Sequence, residues 1–418
     1  MVSFLRLGEK MKSIIIEGAR RLEGDVSVSG SKNAVLPIIF ACILTNGVSK
    51  IENIPDIGDV SVALEIISAL GAMVERRENI AMIDTRNMSY RQLSKESVAK
   101  IRASTYLIGS CLSRFGVCHL LPFGGCGFSH RPIDLHLMAC RSLGGEVRDE
   151  AIYADSLVGG EIIFPIRSVG ATVNAILLAA SADGDSVIKG CATEPHIDSL
   201  IEFINSAGGS VRRQGSTVYV SGRSLQGGEI CIFGDMIEAG SYLGVGLMSG
   251  GEVKIKNCPV DQMDSVFSAF RSLGAEICFD KDYVSARMSS EARSIVVNAE
   301  PYPGFPTDLQ PIFAPIMAWG MGGKIFDFVW ENRFGYLDNL SCFGVKCKRY
   351  GNTAEIFTSK IHPSVSDSPD LRGGFACLMC ALMADGVSRI DSAEIILRGY
   401  EGLEAKLSKI GARIKITD

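Results

Sequence analysis

Residues 121–137 read LPFGGCGFSHRPIDLHL and hold a cysteine, Cys126, set between glycines. Such neighbours keep bulky packing away from the thiol and let the backbone approach a ligand closely. Arg131, a few residues on, carries a charge that favours a thiolate. Elsewhere the chemically suggestive residues are one carboxylate, Asp308 in GFPTDLQ, and a set of basic residues at the starts of strongly apolar runs: Lys32, Arg102, Arg167 and Arg372. Unpaired amides and the helix dipole make such a start an anion site, and a lysine or arginine there adds a full charge. One such residue reads as a local cap; four at equivalent places read as a clamp on a shared anionic ligand. A thiol, a carboxylate and a cationic clamp suit proton transfer to and from a small, highly charged substrate.

Other chemistries find no support in the motifs. The chain has no GxxxxGK[ST], and GVGLMSG at 244–250 is off the dinucleotide spacing and inside a helical pattern. Cys377 and Cys380 form a CxxC, but it lies within the apolar run FACLMCALM and reads as core rather than metal site. His130 and His136, near the cysteine stretch, read as local hydrogen-bonding residues rather than general bases.

The elements that must position these residues follow a repeat. A phrase of roughly the form Leu-Gly-Ala/Gly, with Ala, Phe or Ile before the glycine in three copies, followed by a strand pattern recurs at Gly71, Gly144, Gly208, Gly274, Gly344 and Gly411. Each glycine closes a helical pattern, as a residue with positive φ does. Upstream of each lies a polar residue and then a very apolar helix, whose starts carry Lys32, Arg102, Arg167, Met236, Asp308 and Arg372. Each unit reads as strand, helix, strand, helix, strand, strand, and six units in 418 residues suggest three in each of two domains. A net charge of −5 without a basic run argues against nucleic acid as partner. No apolar stretch approaches the roughly 18–20 residues that span a bilayer. The first residues lack a signal-peptide pattern, residues 1–10 read as a loose extension with Met11 an alternative start, and thirteen scattered cysteines read as reduced thiols of a cytoplasmic protein.

Eight segments in register, GSKNAVLPI, KIRAS, GGC…RPIDLH, SVGAT, FPTDLQ, ENRF, DLR and RGYE, together resemble the UDP-N-acetylglucosamine 1-carboxyvinyltransferase family of enolpyruvyl transferases. The resemblance runs from about Met11 to the C-terminus. It implies an α/β (α+β) fold of two inverse α/β barrel-like domains, each of three βαβαββ repeats, with the active site in the interdomain cleft. The boundaries expected are 1–31 plus 234–418 for a discontinuous C-terminal-type domain and 32–233 for an N-terminal-type domain carrying a cysteine lid loop. The implied reaction moves enolpyruvyl from phosphoenolpyruvate to the 3′-hydroxyl of UDP-N-acetylglucosamine with release of phosphate and without a cofactor or metal. This is the first committed step of peptidoglycan precursor synthesis, and its enzymes are inactivated by fosfomycin at the loop cysteine.

By the same resemblance Cys126 is the proton donor and Asp308 the candidate base. Lys32, Asn33, Arg102, Arg131 and Arg398 would surround phosphoenolpyruvate, with Lys32 and Arg398 counted as catalytic. The acceptor would meet Asn33, Arg102, Arg131, Pro132, Ile133, Asp134, Leu135, Arg167, Ser168, Val169, Gly170, Asp308 and Val329. Arg333, Asp370 and Arg372 would line the cleft and domain interface. Four positions depart from the family habit: Phe123 in LPFGGC, Met236 in DMIE, and His196 and Asp198 in EPHIDS. Arg167 also stands directly before Ser168. They leave room for an enolpyruvyl transferase using another uridine nucleotide, and a non-catalytic sugar-nucleotide sensor is the alternative from a different class.

Overall fold

The computed structural model of the chain describes residues 12–124, 132–289 and 291–418. The chain divides into two compact units. The terminal unit comprises residues 1–28, 236–300 and 304–418, and the central unit residues 29–235 and 301–303. Each has its own apolar core.

One strand plan recurs in both units. In the central unit Glu161–Ile163 pairs in parallel with Asp185–Lys189 after crossing over through the Val169–Ala180 helix. The Pro195–Ser206 helix then leads to the hairpin Ser210–Gln214 and Thr217–Ser221, whose second strand pairs antiparallel with Asp185–Lys189. This is the strand–helix–strand–helix–strand–strand unit expected from the repeat. In the terminal unit, Ile295–Ala299, Gly323–Asp327, Lys346–Tyr350 and Thr353–Phe357 repeat it with the same pairing senses. A parallel pair needs a helical crossover and an antiparallel pair needs only a tight turn, so one sequence phrase encodes one sheet.

Distant chain segments complete other sheets. Glu229–Cys231 pairs in parallel with Val48–Glu52, closing the central unit's first sheet with a strand from its far end. In the terminal unit Ser13–Glu17 lies between Val387–Asp391 and Arg413–Thr417, and Gly24–Ser27 pairs in parallel with Val253–Lys256.

Apolar helices fill the cores. Every residue of Val169–Ala180 from Ala171 onward is buried, as is every residue of Met236–Met248 after Met236 and of Leu371–Met383 before Met383. Burial on all faces explains why these runs lack a polar stripe, and each buried Leu, Ile or Phe contributes roughly 1.5–3 kcal/mol. Cys377 and Cys380 are fully buried in the last of them, where desolvation raises both thiol pKa values. The six repeat glycines take φ of 99°, 99°, 95°, 108°, 89° and 99° in chain order. That left-handed backbone is open to glycine and strained for other residues, which is why the phrase keeps its glycine.

Candidate active site

Asp308 sits on the 3₁₀ turn Thr307–Leu309, entered through Pro306, that feeds the Gln310–Trp319 helix. Two buried guanidiniums meet its carboxylate. Arg333 donates through Nη2 to Oδ1 at 2.7 Å, and Arg372 donates to Oδ2 through Nη2 at 3.3 Å and Nε at 3.4 Å. The arginines are 5% and 2% exposed while Asp308 is 30% exposed, so the carboxylate is the edge of this cluster that water reaches. Burial opposes the Arg333 charge, but Asp308, Asp370 and Asp327 more than offset it and raise its pKa. Asp370 caps the Leu371–Met383 helix, accepting from the backbone N–H groups of Arg372 and Gly373 at 3.0 Å each. That cap fixes the first turn from which Arg372 reaches Asp308. The Arg372 guanidinium also lies 5.2 Å from the Tyr400 ring centre. Arg398, half-buried, follows the Glu394–Leu397 helix two residues before that tyrosine. Val329 is half-buried, its N–H donating to Asp327 at 2.9 Å.

The central unit collects a second group. Lys32 opens the Lys32–Ala41 helix, its N–H donating to Asp235 Oδ2 at 3.0 Å and its ammonium 2.9 Å from Asp59 Oδ2. Asn33 follows, half-buried. Arg102 opens the 3₁₀ turn Arg102–Tyr106 that leads into the Leu107–Phe115 helix. Ser168 caps Val169–Ala180 by accepting from the Ala171 N–H at 3.3 Å.

Asn174, within Val169–Ala180, ties that helix to the Arg102–Tyr106 turn, to Leu107–Phe115 and to the Asp134–Ser142 helix, which carries His136. Its Oδ1 accepts from the Gly109 N–H at 2.6 Å, and its Nδ2 donates to the Thr105 carbonyl at 3.1 Å and to His136 Nδ1 at 2.6 Å. His136 therefore accepts at Nδ1 and holds its own proton on Nε2. Its ring lies against Gly170, where a Cβ would come within 3.0 Å of Cε1 and 3.2 Å of Nε2. Burial, the Arg102 charge next, lowers the His136 pKa to about 4 against an opposing effect of Asp134. Arg102, Asp134, His136 and the 168–170 turn thus form one neighbourhood. Arg167, Pro132 and Asp134 are exposed, and Ile133 and Leu135 half-buried.

Cys126, Arg131 and His130 lie outside the described residues. The approach to them is anchored: Gly124 donates to the Val98 carbonyl at 3.3 Å, and a Cβ there would meet the Ala99 carbonyl oxygen at 2.1 Å. No larger residue fits at 124. Of the departing positions, Phe123 packs on the central core, Met236 on the terminal core, and Asp198 accepts from Arg213 Nε and Nη2 at 2.7 and 2.6 Å.

Comparison with known proteins gives this arrangement a lineage. Residues 16–407 match the family described as EPSP synthase (3-phosphoshikimate 1-carboxyvinyltransferase). The chain is 34% identical to UDP-N-acetylglucosamine 1-carboxyvinyltransferase 3 of Caldanaerobacter subterraneus subsp. tengcongensis, over 97% of this chain and 99% of that protein. It belongs to the carboxyvinyltransferase, or enolpyruvyl transferase, family. The Clostridium acetobutylicum UDP-N-acetylglucosamine 1-carboxyvinyltransferase 2 is 36% identical, again over 97% and 99%. In three dimensions the enolpyruvyl transferase NikO of Streptomyces tendae superposes with a TM-score of 0.87 at 23% identity, over 97% of this chain and 99% of that one. EPSP synthase of Acinetobacter baumannii gives 0.73 at 15%, over 98% and 100%. These likenesses carry the fold, and family membership makes the chain a transferase.

Proximity of elements supplies residues that spacing did not single out. Asp59 lies in the polar loop IPDIGD and Asn174 in the apolar run after SVGAT, but neither partner is written nearby. Asp327, at the end of an ordinary strand pattern, carries no sequence signal at all.

Proposed function

We propose that the chain transfers the enolpyruvyl group of phosphoenolpyruvate to the 3′-hydroxyl of UDP-N-acetylglucosamine, releasing phosphate, at the committed step of peptidoglycan precursor synthesis. The observation that carries this reading is 34–36% identity over 97% of the chain to enzymes whose names state that reaction.

Asp308 takes the proton of the attacking hydroxyl as its oxygen bonds to carbon 2 of the enol, while Cys126 delivers a proton to carbon 3. The resulting adduct has lost the carbon 2–carbon 3 double bond. Loss of a proton from carbon 3 and cleavage of the carbon 2–oxygen bond to phosphate then restore the vinyl group. Lys32, Arg102, Arg131 and Arg398 stabilise the phosphate and carboxylate charge throughout. Support for Asp308 as base comes from its setting: the exposed edge of a carboxylate whose direction two buried arginines hold. Asn33, Arg167, Ser168, Val169, Gly170, the 131–135 stretch and Val329 recognise the sugar nucleotide. The capped start of Val169–Ala180 offers amides to a diphosphate. Asp370 and Arg372 act by holding Asp308, with Arg333 beside them. Free thiols at the described cysteines and these metabolites suit the cytoplasm as the place of action.

The test is phosphate release with phosphoenolpyruvate across a small panel of uridine nucleotides. Release with UDP-N-acetylglucosamine is expected. Release only with another nucleotide would reassign the acceptor, and binding without release would make the chain a sensor.

A further inference from the structure

Asp327 ends the Gly323–Asp327 strand and is 1% exposed. Its carboxylate accepts at both oxygens. Oδ1 receives the backbone N–H groups of Val329 and Trp330 at 2.9 Å each, which folds the chain back after the strand. Oδ2 receives the Thr307 hydroxyl at 2.7 Å and Gln310 Nε2 at 3.5 Å. Because the Thr307 hydroxyl donates to Asp327, its oxygen is turned to accept, and Arg333 Nη1 donates to it at 2.8 Å. The same guanidinium reaches Asp308 Oδ1 through Nη2 at 2.7 Å.

A chain of directed hydrogen bonds therefore runs from Asp327 through Thr307 and Arg333 to Asp308. Each donor direction in it follows from the last, since an ionised carboxylate can only accept and a guanidinium can only donate. A neutral group at 327 would release the Thr307 hydrogen and with it the orientation of the guanidinium.

We infer that Asp327 is a positioning residue for the reaction, holding the Asp308 carboxylate in its reactive direction through Thr307 and Arg333. This rests on the reading of Asp308 as the base. A purely structural role would act through the two backbone amides at 329 and 330 and the Gln310 side chain, so a variant that spares those bonds and breaks the Thr307 link separates the two.

The experiment compares Asp327→Asn, Thr307→Val, Thr307→Ser and Asp308→Asn by phosphate release with phosphoenolpyruvate and UDP-N-acetylglucosamine, alongside thermal melts. Thr307→Val leaves the Asp327 backbone bonds in place and breaks the relay. Asp327→Asn and Thr307→Val should each lower kcat about 10–100-fold with KM for phosphoenolpyruvate within about twofold. Thr307→Ser, which restores the hydroxyl, should recover most of the rate. Should Asp327→Asn not fold, the Thr307 pair decides. Parent kcat in folded Thr307→Val overturns the inference while an inactive Asp308→Asn leaves the base reading standing. Parent activity in Asp308→Asn overturns both.

Discussion

At the scale of single residues, the site is a set of charges whose neighbours decide what they can do. Arg398 is half-buried and belongs to the proposed clamp on phosphoenolpyruvate. Arg398→Ala should lose roughly 2.7–4 kcal/mol of transition-state stabilisation, a 10²–10³-fold fall in kcat/KM in steady-state assays. Cys126→Ser should nearly abolish turnover and Cys126→Asp retain part of it by supplying another acid; a Cys126→Ala protein working at the parent rate would remove the thiol from the mechanism. His136 makes a different prediction. Its pKa falls to about 4 in the fold against an ordinary value near 6.5, so the folded protein favours the neutral ring. Unfolding then binds a proton between those values. The stability from this ring is complete above about pH 6.5 and is lost as pH falls toward about 4, to a limit of roughly 3 kcal/mol. Denaturant midpoints of the parent and His136→Gln at pH 7 and pH 5 should show the parent losing more.

At the scale of elements, the repeat glycines join helix to strand, and their surroundings differ although their backbone does not. Gly208 has φ +95° and nothing within 4 Å of where a Cβ would stand, so alanine there meets only backbone strain. Gly344 would place its Cβ 2.8 Å from both the Lys360 carbonyl oxygen and His362 Cδ2. Gly208→Ala should cost about 1–2 kcal/mol, and Gly344→Ala should add about 1–3 kcal/mol of overpacking, read as a larger drop in melting temperature. Equal costs would mean that backbone conformation alone selects the glycine.

At the scale of the whole molecule, the terminal unit depends on chain from both ends. Ser13–Glu17 is the inner strand of a sheet otherwise made from residues beyond 364, and Gly24–Ser27 edges another. Ile14 and Ile16 are fully buried. A protein beginning at residue 29 therefore loses two strands of one core and none of the other. Differential scanning calorimetry should show one transition weakened or absent and phosphate release abolished. An intact two-core melt would show that those strands are dispensable.

The sequence by itself determined what is local and repeated. Helix–glycine–strand phrases, very apolar runs and basic residues at their starts need only near neighbours to be read, because φ preference and burial period act within a few residues. The repeat and its three units in each of two domains could be recovered from them, whereas the family came from the resemblance of eight segments such as KIRAS and FPTDLQ. Tertiary structure alone decided which charges meet. Lys32 pairs with Asp59, Arg372 with Asp308 across 64 residues, and Asp327 reaches Asp308 only through Thr307 and Arg333. Such pairings arise where sheets closed by distant strands bring loops together, and no propensity of either partner encodes the meeting.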